Sequence, residues 1–181
     1  MQDDPKCTAK LSVQLSVLPS YTRLGMAALL PHKTLEMTDD FQVLVDGILC
    51  DNLAGRQQVL QSYNPDSVCV QFDDIKNLKV AELRDVLTKR QIIYVYHNQI
   101  DARGDKANTE DEVFHACEEA VQEIVDLIHR ISVSGNTYHF IVTADHGFID
   151  NRDKLTESDK ISGKSADKAF VNRRFIVSKA T

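Results

Sequence analysis

Tryptophan is absent from this chain of 181 residues, and glycine (7) and proline (4) are sparse. That scarcity excludes collagen-like and low-complexity architectures. No run of 18 or more apolar residues occurs, so the sequence offers no membrane-spanning helix. A basic segment leading into an apolar stretch is missing from the start, and no secretory leader is expected. The four cysteines, Cys7, Cys50, Cys69 and Cys117, show no CxxC spacing. They read as small core residues of a reduced, cytoplasmic protein. Also missing are the dinucleotide-binding GxGxxG, the P-loop, the GxSxG elbow and the HExxH helix. A net charge of −6 argues against a broad basic face for duplex DNA. Cations nevertheless gather late in the chain, as Arg152, Lys154, Lys160, Lys164, Lys168, Arg173 and Arg174.

What is present reads as one α/β domain. Apolar content of 43% over 181 residues suffices for one sizeable core. Residues 10–18 alternate as a strand would, with Leu11, Val13, Leu15 and Val17 on one side. A short helix is predicted over 22–30 and stops at Pro31. Asp46-Gly47 between apolar runs 41–45 and 48–50 signals a two-residue hairpin. Helices are expected over 53–61 and 80–89, and strands over 67–71 and 92–96. The strongest helix spans 110–133, where apolar residues recur at intervals of three and four. Thr109 and Glu112 have capping-box spacing at its start, and Gly135 closes it. A strand at 138–143 follows, and residues 175–178 suit one more. Strands alternating with helices predict a mainly parallel sheet sandwiched between helices, with one β-hairpin insertion.

Chemistry-bearing residues follow the apolar strands. In the run 138–148 (YHFIVTADHGF), an apolar strand gives way to Asp145, His146 and a turn-forming Gly147. A carboxylate beside an imidazole suits Zn²⁺ or Mn²⁺ better than Ca²⁺, although a plain polar turn fits the same letters. Thr22 opens the helix after the first strand; it is either an N-cap, as Ser20 could equally be, or a hydroxyl activated by a neighbouring cation. Arg23 beside it could clamp a phosphate oxygen or stand in solvent on the helix. After strand 92–96 come His97, Asn98, Asp101, Arg103 and Asp105. Asp101 and Asp105 could turn toward one cation, or form a solvated acidic loop before the long helix. His97 reads as a hydrogen-bonded residue at a strand end rather than a ligand.

Three segments together, LSVLPSYTRLGMAALLP at 15–31, YVYHNQIDARGD at 94–105 and TADHGF at 143–148, resemble the PglZ domain. That family belongs to the bacteriophage-exclusion (BREX) and phage-growth-limitation systems and resembles the alkaline phosphatase superfamily. The resemblance runs through nearly the whole chain in order. It implies an alkaline phosphatase-like core and a metal-dependent phosphoester hydrolase of phosphatase or phosphodiesterase type, acting in antiphage defence. Thr22 would be the nucleophile and a metal ligand, with Asp145 and His146 on the same ion. Asp101 and Asp105 would serve the other metal, though the superfamily commonly has histidine at the second of these positions. The implied cofactors are two divalent ions, zinc first, with manganese or magnesium as alternatives. Implied partners are a phosphoester, nucleic acid or nucleotide among the candidates, and other defence proteins.

Two pieces of the superfamily pattern are missing: an aspartate ending a strand before the nucleophile, and a histidine after His146. Residues 1–181 are therefore expected to form a single core domain, partial at both ends and catalytically incomplete, holding one ion or none, with 151–181 a mobile basic tail. Two other readings compete. One is a non-catalytic docking module of a phage-defence complex; the other is a plain α/β binding domain without metal.

Overall fold

The computed structural model describes residues 7–104, 113–147, 169–172 and 175–178. Its centre is a parallel pair, β4 (Ser67–Gln71) and β5 (Ile92–Tyr96), in register from Ser67 opposite Ile92 to Gln71 opposite Tyr96. Period-two alternation gives this pair two working faces. Cys69, Tyr94 and Tyr96 point into one apolar cluster, and Val70, Ile93 and Val95 border a second. Packing against a cluster on each side accounts for the uninterrupted apolar run of β5.

The first cluster is closed by α1 (Thr22–Ala28), α2 (Leu53–Tyr63) and a three-stranded antiparallel sheet. That sheet joins β1 (Leu35–Met37), β2 (Val43–Val45) and β3 (Ile48–Leu49) in the order β1-β2-β3. Asp46 and Gly47 both adopt positive φ (48° and 78°), the backbone a two-residue hairpin requires. Asn52 caps α2 by accepting from the Gly55 amide at 2.9 Å. The second cluster is closed by α3 (Phe72–Ile75), α4 (Val80–Leu87) and α6 (Val113–Gly135), from which Leu127 and Ile131 enter it. Between β5 and α6 lies α5 (Gln99–Gly104), and a small hairpin pairs β6 (Phe170–Val171) with β7 (Ile176–Val177).

The Asp46 side chain shows why the β2–β3 turn is firm. It accepts from the Lys33 and Thr34 amides at 2.9 and 2.8 Å and from the Tyr63 hydroxyl at 2.6 Å. The Tyr63 bond first, and the amides after it, hold its carboxyl down at about 2. A folded-state value below the unfolded one means stability present above about pH 4 and lost as pH falls toward 2. In Tyr63→Phe, the Asp46 midpoint read by NMR should rise toward the ordinary carboxylate range; an unmoved midpoint would rule out the hydroxyl as its main cause.

Several expectations need correction. Residues 10–18 and 138–143 form no strand: they run without a ladder, leaving Leu11, Val13 and Leu15 at 89–100% exposure and Ile141 at 94%. Alternation marks a chain ready to pair, but only a partner strand makes the pairing. The expected mainly parallel sheet is, among the described residues, one parallel pair accompanied by antiparallel strands. Asp101 stands on α5 rather than in a loop. The left-handed residue after α6 is Asn136 (φ 52°), one beyond the expected Gly135. Thr109, Glu112, Asp105 and most of 151–181 lie outside the described residues.

Candidate metal centre

Three elements converge at the carboxyl edge of β5. Helix α1 presents Thr22 in its first turn, and α5 presents Asp101 five residues beyond the end of β5 at Tyr96. The turn after 138–143 presents Asp145 and His146. Each element has its own anchor. The Tyr94 hydroxyl donates to the Leu29 carbonyl at 3.1 Å, tying the far end of α1 to β5. Glu123 on α6 meets His97 Nε2 at 2.9 Å and accepts from Gln99 Nε2 at 3.1 Å, while Glu119 pairs with Arg103 at 2.6 Å. Two glutamates four apart on one helix thereby hold α5 against α6.

The Thr22 hydroxyl donates to Asp101 Oδ2 at 2.7 Å and lies 3.2 Å from His146 Nε2. That nitrogen stands 3.7 Å from Asp101 Oδ1 and 3.6 Å from Asp145 Oδ2. Asp101, Asp145 and His146 each offer one ligand atom, all within 4.8 Å of one another. His146 Nδ1 donates to the Gly147 carbonyl at 2.9 Å. This bond places a proton on Nδ1 and turns Nε2 toward the carboxylates. Asp145 Oδ2 is buried without a hydrogen-bond partner. Burial pushes the Asp145 carboxyl above its ordinary value; His146 pulls it back, and Asp101 adds to the push.

Such an arrangement suits a divalent cation. Two carboxylates and an imidazole nitrogen face one another beside the Thr22 hydroxyl, and a charge of 2+ would balance the two acids. Ligands at 2.0–2.2 Å from zinc stand roughly 3.3–3.6 Å apart around a tetrahedron. The separations from His146 Nε2, 3.2 to 3.7 Å, match that spacing. The unpartnered Asp145 oxygen supplies the remaining hint, since buried polar atoms ordinarily have partners.

The residues singled out from sequence divide as follows. Thr22, Asp101, Asp145 and His146 meet. Asp105 lies outside the described residues. Arg23 turns to Asp51 at 3.6 Å, with its side chain 60% exposed. His97 is engaged by Glu123 and by the edge of Phe72, as a strand-end residue should be. Thr22 does not cap its helix; the N-cap position is Tyr21, without a side-chain cap bond. Sequence reasoning passed over Glu119, Glu123 and Gly25, because no local pattern marks a residue whose partner is distant in the chain.

The model of the BREX system PglZ alkaline phosphatase-like domain matches residues 1–181. The chain is 38% identical over 173 residues to the alkaline phosphatase-like protein PglZ of Bacillus cereus, covering 96% of this chain and 20% of that protein. It is also 38% identical over 178 residues to the alkaline phosphatase-like protein BrxZ of Escherichia coli, again covering 96% of the chain and 20% of the relative. The chain thus spans about a fifth of the length of these curated relatives. No solved structure matches it. Among the described residues no helix is long and apolar enough to cross a membrane. On the family match over its full length, the chain belongs to the PglZ family of BREX alkaline phosphatase-like domains.

Proposed function

We propose that this chain supplies the nucleophile and a metal-binding group of a phosphoester hydrolase that works in cytoplasmic phage defence. One observation carries the reading: the Thr22 hydroxyl sits within hydrogen-bond reach of both Asp101 and His146, beside an Asp145 carboxylate whose Oδ2 has no hydrogen-bond partner. A threonine hydroxyl is a poor nucleophile at neutral pH unless something takes or weakens its proton. A divalent ion held by Asp145, His146 and Thr22, with a second served by Asp101 and Asp105, would lower that barrier and offset charge on the phosphoryl oxygens. Zinc is the first choice on donor chemistry, ahead of manganese and magnesium. Asp101 accepts a hydrogen bond from the hydroxyl in the resting geometry and so holds the oxygen within the group. Attack of Oγ on phosphorus expels the ester's alcohol oxygen and leaves a phospho-threonine; water then cleaves that new O–P bond, returning the Thr22 hydroxyl and freeing the phosphoryl product. Arg23, one residue along α1, is the nearest cation in sequence for a phosphate oxygen, once it leaves Asp51.

Because the chain spans a fifth of its relatives, the activity is proposed for the full-length protein, on a nucleotide or nucleic-acid phosphoester and alongside other defence proteins. The test is hydrolysis of p-nitrophenyl phosphate and its bis-ester. Chelation should abolish turnover and Zn²⁺ or Mn²⁺ should restore it. Turnover that survives exhaustive chelation, or none with any metal, would overturn the proposal.

A further inference from the structure

Gly25 lies in the middle of α1, where glycine is a poor choice on helix propensity alone. Its φ is not in the left-handed region, so backbone conformation does not call for it. The space around it does. A Cβ built there would stand 2.4 Å from the Asp145 carbonyl oxygen, 2.9 Å from its carbonyl carbon and 3.0 Å from its Cβ. All three lie inside van der Waals contact, and two of the three atoms are backbone, which no rotamer change can move. The residue one turn earlier on the same face is Thr22, three positions back. The backbone of the Asp145–His146 turn therefore rests directly on α1, one turn from the hydroxyl that its side chains approach.

We propose that Gly25 is a positioning residue of the metal centre: its missing side chain is the seat that brings Asp145 and His146 up to Thr22. The idea rests on the metal reading above and adds a residue that touches neither metal nor substrate. Its physical content is distance. A methyl group at position 25 must lift the 145–146 backbone by several tenths of an ångström or more, while Asp101 stays fixed on α5. His146 Nε2 then departs from the 3.2 Å contact with Thr22, and the donor set opens. Metal sites tolerate such loosening badly, because each ligand must stay near its bond length. The fold should tolerate it well. Residues 138–147 belong to no sheet ladder, so the turn can retreat without unmaking either core cluster.

The experiment is calorimetric titration of the full-length protein with Zn²⁺ alone, comparing wild type, Asp145→Ala and Gly25→Ala, with the metal-free melting temperature of each. Asp145→Ala identifies which class of Zn²⁺ sites belongs to this centre. Gly25→Ala is expected to weaken that class at least tenfold, while the metal-free melting temperature is unchanged or raised, since alanine is the better helix former. Unweakened binding in Gly25→Ala, with the site lost in Asp145→Ala, overturns the seat and leaves the metal reading standing. A Gly25→Ala protein that fails to fold also overturns it, because the contact would then belong to the core. If Asp145→Ala removes no Zn²⁺ site, the metal reading fails and the seat goes with it.

Discussion

Thr22→Ala in the full-length protein should lower kcat for a phosphodiester by at least about a thousandfold, roughly 4 kcal/mol of barrier. The substitution removes the atom that would attack phosphorus and leaves Asp101, Asp145 and His146 in place. Without that oxygen no covalent phosphoryl intermediate can form, and what remains is direct attack by water. KM should move little, because one hydroxyl contributes little to ground-state binding. Thr22→Ser restores the oxygen but not the branched Cβ that restricts its rotamer, so it should recover activity to within about tenfold of wild type. A loss on Thr22→Ala smaller than tenfold, about 1.4 kcal/mol, would end the case for a covalent nucleophile. A large loss in both Thr22→Ala and Thr22→Ser would point to packing rather than chemistry.

Parts of the fold were legible in the sequence because burial writes itself into local pattern. Strands β4 and β5 match their expected bounds to the residue, β5 as an unbroken apolar run between turns and β4 as a short β-branched run ending in Ser67 and Gln71. The hairpin at Asp46-Gly47 was equally plain, because only a few residue pairs accept its backbone. Helix α6 announced itself by a stripe of Val113, Ala116, Ala120, Leu127, Ile128 and Ile131. Val121, two steps of four after Val113, is 62% exposed, because a helix turns slightly out of step with any fixed spacing. The short elements were illegible. Helices α3 and α5, of 4 and 6 residues, complete too few turns to show a face, and β1 has only 3 residues.

The site was legible in a different way. Thr22 and His146 stand 124 positions apart, and no periodicity could have joined them. Their polar types at the ends of apolar runs, and the family resemblance of the segments that carry them, did so. Asp101 belonged to the same reading, yet its place beside Asp145 and His146 depends on α5, a helix the sequence did not reveal. The supporting contacts were invisible for the same reason. Glu123 looks like any helical glutamate until His97 and Gln99 are seen to converge on it.

Asp145→Asn should split stability from metal response more sharply than any other change. In the metal-free protein, wild type keeps a carboxylate oxygen buried, without a hydrogen-bond partner and within ligand distance of a second acid. Removing that charge relieves both burial and the repulsion from Asp101, so the metal-free variant should melt no lower than wild type. Adding Zn²⁺ reverses the order. A cation bound only to the folded state at a hundredfold excess over its Kd stabilises by about 2.7 kcal/mol, and the variant should forfeit nearly all of it. The amide preserves the shape of the side chain, so packing cannot account for the loss. Thermal unfolding with and without Zn²⁺ decides the matter. Equal Zn²⁺ shifts in the two proteins would show that this carboxylate holds no metal. A lower metal-free melting temperature in the variant would show that Asp145 already has a partner that stabilises its charge.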